Sequence, residues 1–173
     1  FKFSYGNIYE IRGPRGIGKS TLLKIIYNLL SPSNGEVLID GEANYRIHKL
    51  ENQIFYLPSS TTPFILDMES NILLGKSPPA EFLDIINTLG LGVIIKDSCE
   101  NLSTGEQLRV AMARGLISKK NIFLLDEFNA NLDNKTSDQI VQMLLKKAKN
   151  GALIILVNHK SSIPGAIILE LGL

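Results

Sequence analysis

Residues 13–21 read GPRGIGKST, with a stretch at residues 8–12 before them that can form a strand and helically spaced Leu22, Leu23, Ile25, Ile26, Leu29 and Leu30 after them. No other stretch constrains the fold as much, because a strand that ends in a glycine turn and continues into a helix is the strand–loop–helix unit of an α/β sheet. Gly13, Pro14, Arg15, Gly16, Ile17, Gly18, Lys19 and Ser20 fill the pattern GxxxxGK[ST], and Thr21 follows. In that pattern the glycines let backbone N–H groups turn inward around phosphates lying on the helix N-terminus. Lys19 then reaches the β and γ phosphates and Ser20 holds Mg²⁺. A glycine turn before a helix is common by itself; the full octet, with a strand on one side and a helix on the other, separates the two readings.

A second anion site is expected further along, in LSTGEQLRVAMARGL at residues 102–116. Ser103 and Glu106 form an S-x-x-E capping box, and Leu108, Val110, Ala111 and Leu116 supply the apolar positions beyond it, so a helix begins at Ser103. Its first N–H groups, the Ser103 hydroxyl and the bare backbone of Gly105 offer donors and close approach to an anion. The capping box taken alone describes any well-capped helix. Two phosphate elements in one small chain point to a nucleotide held between two subunits.

The run Ile122, Phe123, Leu124 and Leu125 reads as a buried parallel strand, with Asp126 and Glu127 at its carboxyl end, the edge where open α/β sheets bind ligands. Asp126 suits Mg²⁺ or its water ligands, and Glu127 can polarise an attacking water. Outside the context of the phosphate loop, the same acidic pair reads as a turn or a helix cap.

Alternation continues along the chain. A helix is expected over residues 20–30, then the polar break SPSNG at residues 31–35, then strands at residues 36–39 and 53–57. A mostly helical stretch is expected over residues 62–101, including a helix started by Ser77, Pro78 and Pro79 with Phe82, Ile85, Ile86 and Leu89 as its stripe. Then follow a helix near residues 135–149 and strands at Leu153 and Ile167. The 173 residues make one domain able to bury about 70% of its unfolded surface. A net charge of +1 gives no electrostatic case for nucleic acid, and Cys99, the single cysteine, fits a reducing, cytoplasmic setting. The longest apolar runs are strand-sized, short of the ~20 residues that span a bilayer. Glu10 and Arg12 stand in a strand expected to be buried on both faces; pairing, or exposure by a segment not present, are the two readings.

The order of GPRGIGKST, LSTGEQLRVAMARG, IFLLDE, then Asn131, Leu132 and Asp133, and finally His159 after the strand at residues 152–157, resembles the ATP-binding-cassette (ABC) ATPases. GEVLIDG at residues 35–41 is similar to the family's strand and turn after the first helix, and NILLG at residues 71–75 to a segment of exporter-type members. The resemblance implies a P-loop NTPase fold: a mostly parallel sheet flanked by helices, with a small antiparallel β part. Residues 1–61 and 102–173 would form the core, with a short helical subdomain at residues 62–101. It implies that residues 13–21 are the Walker A loop, Asp126 closes Walker B, and Glu127 is the catalytic carboxylate assisted by Lys19. Ser103, Thr104, Gly105 and Glu106 become the signature that meets the γ-phosphate of the opposite subunit. Asp133 belongs to the D-loop, and His159 senses the γ-phosphate; His48 reads as an ordinary surface histidine.

Departures accompany the matches. Ser59 stands where the family places a glutamine that contacts Mg²⁺ and couples to the membrane partner. Thr104 replaces the usual glycine, and Phe128, read as a packing residue, the usual proline or alanine. Only twelve residues precede Gly13, so the adenine-stacking aromatic is missing and the chain reads as N-terminally truncated. Phe1, Phe3 and Tyr5 read as alternating strand residues, or else as its substitutes. The implied function is ATP hydrolysis with Mg²⁺ by a domain that pairs with a second nucleotide-binding domain, as homo- or heterodimer. It would drive transmembrane transporter domains, fused or separate, at the cytoplasmic face of a membrane. A soluble non-transport ABC ATPase and a nucleotide-dependent dimerisation module with little hydrolysis are the alternatives.

Overall fold

The computed structural model describes residues 1–46, 50–64, 66–158 and 162–172, apart from the side chains of Tyr45 and Glu51. In chain order the elements are β1 (Ile8–Arg12), α1 (Lys19–Ile26), β2 (Leu38–Ile39), β3 (Glu42–Ala43), β4 (Ile54–Leu57), α2 (Met68–Leu73), α3 (Phe82–Thr88), α4 (Thr104–Ile117), β5 (Ile122–Asp126), α5 (Asn134–Lys149), β6 (Leu153–Val157) and β7 (Ile167–Glu170). Five strands form one parallel sheet in the order β4-β5-β6-β1-β7, and β2 and β3 make a separate antiparallel hairpin. This is the expected architecture, and the apolar runs explain it. Successive strand side chains face opposite sides, so a sheet covered on both faces needs apolar residues at every position. Phe123 and Leu125 enter one core with α4 and α5, while Ile122 and Leu124 enter another with Leu23 and Ile26 of α1.

Local details differ from the sequence expectations for identifiable reasons. The helix expected over residues 20–30 stops at Ile26, because Asn28 takes the left-handed conformation (φ 64°) that closes helices, leaving Leu29 and Leu30 exposed. The strand expected at residues 36–39 shrinks to Leu38–Ile39, turned by Asp40 and Gly41, both with positive φ, into the hairpin. Phe1, Phe3 and Tyr5 form no strand: Phe3 packs edge-on against Tyr9 and the Tyr5 hydroxyl donates to Asp40. Residues 62–101 contain α2 and α3, both packed on α4, with less helix than expected. The prolines give a turn in which Phe82 N–H bonds Pro79 O, so α3 starts after them.

A polar fork helps hold helix α4 against this region, beside a bond from Arg109 to Leu89 O at 3.1 Å. The fully buried Asn71 carboxamide pairs with the Phe64 backbone at both its oxygen (2.8 Å) and its nitrogen (2.9 Å). Arg114 of α4 donates Nε to Asn71 O at 2.9 Å and a second nitrogen to Asn71 Oδ1 at 3.2 Å. On its other side α4 meets β4 so closely that a Cβ on Gly115 would lie 2.4 Å from the Phe55 ring. Gly115→Ala is therefore expected to lower unfolding free energy by about 1–3 kcal/mol through overpacking, measured by urea titration against wild type.

Candidate nucleotide site

The phosphate loop leaves β1 at the carboxyl edge of the sheet and enters α1 through Gly18, whose φ of 104° is the left-handed value a side chain resists. Gly13 is constrained twice: its φ is 143°, and an added Cβ would meet Leu171 O at 2.6 Å. Pro14, Arg15, Gly16 and Ile17 form the exposed tip, and Thr21 is exposed on the first turn of α1. No side chain caps α1 and its first turn carries no acid, so its N-terminal donors face the loop without competition. Lys19 is 7% exposed, and its ammonium donates to Gly13 O at 2.8 Å and Pro14 O at 2.9 Å. The cation thus lies within the ring of the loop.

The acidic strand end arrives beside it. Ser20 Oγ donates to Asp126 Oδ1 at 3.0 Å, joining α1 to the buried end of β5. After Asp126 the chain turns sharply: Glu127 has φ 55°, its N–H bonds Val157 O at 3.0 Å, and Phe128 is fully buried, the packing role expected of it. This left-handed, part-exposed glutamate separates two adjacent carboxylates into a buried one and an accessible one. A residue with a side chain held in this conformation costs about 1–2 kcal/mol. Tyr56 on the neighbouring strand keeps a buried hydroxyl with no hydrogen-bond partner among the described residues, and burial first and Asp126's charge second push its pKa up. Ser59 follows β4 at the same edge and is exposed.

Helix α4 begins as the capping box requires. Glu106 N–H donates to Ser103 Oγ at 3.3 Å, and Ser103 N–H donates back to Glu106 Oε2 at 2.9 Å. The Ser103 hydroxyl also donates to Glu106 at 2.7 Å, and these bonds hold the Glu106 carboxyl below its ordinary pKa. Ser103 and Thr104 are exposed. Gly105 passes close to the neighbouring loop of the same chain, so that a Cβ added there would lie 2.9 Å from Asn131 O. Asp133 closes that loop by capping α5, accepting from Thr136 N–H at 2.9 Å and from the Thr136 hydroxyl at 2.7 Å, bonds that lower its pKa.

The structure thus joins Ser20 to Asp126 and Gly105 to the Asn131 loop. Among the described residues no hydrogen bond or ion pair links residues 13–21 to residues 103–106. His159 and His48 lie outside the described residues. Sequence reasoning left Glu10 and Arg12 without a partner, and pairing is the reading that holds: Arg12 Nε donates to Glu10 Oε1 at 2.9 Å. The signal was present as two ionisable residues two apart on one strand, hence on one face.

A parallel sheet with a strand–phosphate loop–helix unit and a Ser/Asp pair at its carboxyl edge defines a P-loop NTPase domain. Residues 1–130 match the ABC transporter family, and the chain belongs to that family of ATP-binding, ATPase-type domains. It is 36% identical over 165 residues to the ATP-binding protein of a lipoprotein-releasing system from Rickettsia bellii, covering 89% of this chain and 75% of the relative. It is 32% identical over 180 residues to Multidrug resistance protein 1 of Entamoeba histolytica, covering 94% of this chain but spanning only 14% of that protein's length. The fold superposes with a TM-score of 0.84 on a dimeric ATP-binding cassette in a post-hydrolysis state with ADP and phosphate, at 28% identity over 99% of this chain and 83% of the other. Among the described residues no helix is long and apolar enough to cross a membrane.

Proposed function

We propose that this domain hydrolyses ATP between two nucleotide-binding domains and so drives a membrane partner. The observation that carries the reading is the division of the phosphate elements: the Lys19 loop with its Ser20–Asp126 pair is self-contained, while the Ser103 helix start is exposed and makes no bond to it. An exposed anion-binding helix end in the same chain suits the phosphate of a second copy, related head to tail. Residues 1–61 and 102–173 serve as the core, and residues 62–101 as the helical subdomain. The relatives' names, a multidrug resistance protein and the ATP-binding protein of a lipoprotein-releasing system, support transmembrane domains as the partner, fused or separate, at the cytoplasmic face of a membrane.

The donor set suits Mg²⁺, which takes hard oxygens, few protein ligands and several waters: a hydroxyl and a carboxylate meet at 3.0 Å, beside a loop built for phosphates. Ser20 and Asp126 would hold the ion, with Ser59 close along the same edge. When bound, it supplies charge neutralisation on the phosphate oxygens. Lys19 places its ammonium against the β and γ phosphates, where its two loop carbonyls hold it ready. Glu127, on the exposed side of the strand end, orients a water for in-line attack and accepts its proton. Ser103 and the first N–H groups of α4 bind the γ-phosphate of the opposite copy, and His159 serves as the residue that senses the γ-phosphate.

Mixing two defective copies tests the shared site. In the intact protein, Lys19→Ala and Ser103→Ala variants are each expected to be nearly inactive, yet co-expressed they form heterodimers with one wholly wild-type site. Random pairing then restores about a quarter of wild-type phosphate release. No recovery on mixing, or full activity of Ser103→Ala alone, overturns the shared site. Absence of phosphate release from wild type despite ATP binding points instead to the dimerisation module, for which Ser59 and Thr104 argue.

A further inference from the structure

We propose that Tyr56 is a positioning residue for the Mg²⁺ that Ser20 and Asp126 would hold, its buried hydroxyl accepting a hydrogen bond from a water that the ion retains. This rests on the metal assignment in the function proposed above. Tyr56 lies on β4 opposite Leu124 in the parallel register with β5, and side-chain alternation puts Tyr56, Leu124 and Asp126 on the face covered by α1. Helix α1 brings Ser20 to Asp126 from that same side. Asp126 stands two residues beyond Leu124 toward the carboxyl edge, an offset of about 6.6 Å at the usual rise of a strand. A tyrosine side chain leaning along its strand covers that length.

The hydroxyl is out of place as a packing group. Its oxygen is buried yet bonds nothing among the described residues, while the half-buried ring packs tilted at 30° against Tyr27, which caps α1, with centroids 5.3 Å apart. A phenylalanine would keep that packing, and a buried hydroxyl left unpaired costs stability. The tyrosine therefore carries a polar atom that folding does not need. Burial and the charge of Asp126 keep this phenol protonated, so it offers a neutral oxygen with two acceptor lone pairs. Mg²⁺ sheds its hydration reluctantly and keeps several waters, whose protons need acceptors. Such partners behind the direct ligands fix their orientation, and removing one costs about 10–100-fold in metal affinity.

The test is Tyr56→Phe in the intact protein, read by ATP affinity with Mn²⁺ as the metal probe and again in EDTA. Affinity with Mn²⁺ should fall about tenfold to a hundredfold, and affinity in EDTA should match wild type, because residues 13–21 are untouched. Without metal or nucleotide the sign reverses. The variant no longer buries an unpaired hydroxyl, so it melts no lower than wild type, with a rise of about 2–4 °C expected. A tyrosine that only supports the fold behaves otherwise: its loss lowers the melting temperature and weakens ATP binding alike with and without Mn²⁺. Equal Mn²⁺-dependent affinity in the two proteins, an equal loss in EDTA, or a lower-melting metal-free variant overturns the proposal. Should the variant fail to fold, wild type still decides the matter, since the chain has no tryptophan and a near-ultraviolet difference spectrum on adding Mn²⁺ to the ATP-loaded protein reads its tyrosines. No spectral change overturns the role of Tyr56. A wild type whose ATP affinity is indifferent to Mn²⁺ overturns the metal assignment itself and this role with it, whereas a normal wild type beside an unaltered variant removes Tyr56 alone.

Discussion

Glu127→Gln lowers steady-state phosphate release by about 10²–10⁴, the usual contribution of a positioned base, and leaves ATP binding intact. The substitution is nearly isosteric, so it keeps the left-handed turn at φ 55° and the N–H bond to Val157 that fix the side chain at the edge of the sheet. Only the ability to take a proton is lost. Because binding survives while cleavage stops, the variant should also accumulate as the nucleotide-bound dimer, visible by size exclusion with ATP. Wild-type turnover in this variant removes Glu127 from the reaction and shifts attention to Asp126, which its burial and bond to Ser20 make a poor base.

Lys19→Ala acts one step earlier, on binding itself. Charge-assisted hydrogen bonds contribute about 1.5–3 kcal/mol, so ATP affinity should weaken about tenfold to a hundredfold. The readout is ligand-dependent thermal stability. At a nucleotide concentration near 100 times the wild-type Kd, wild type gains about 2.7 kcal/mol, whereas a hundredfold weaker variant gains about 0.4 kcal/mol. The apo variant should melt close to wild type, since Lys19 bonds only carbonyls of its own exposed loop. Equal stabilisation of both proteins by ATP would mean that the loop's backbone, without the ammonium, holds the phosphates.

The sheet was readable from the chain because its strands are buried on both faces, and two-sided burial leaves uninterrupted runs such as Ile122 to Leu125. The phosphate loop and the Ser103 cap were readable for a different reason: both are local, decided within four to nine consecutive residues. What escaped depends on contacts between distant segments. Asn28 ends α1 by a backbone conformation that the apolar spacing of Leu29 and Leu30 contradicts. The missing side chain of Gly105 also admits the carbonyl of Asn131, a contact that no local pattern announces. Glu10 looked misplaced because its acceptor bond reaches Ile163, far along the chain.

The carbonyl of Leu171 fills the volume that any side chain at position 13 would claim. The shape of the loop proposed to hold the triphosphate is therefore set partly by the segment after the last strand. Substitutions at 13 and 171 are not independent: tolerance at one depends on the backbone path of the other, and engineering that alters the chain near Leu171 reshapes the nucleotide cradle without touching its motif.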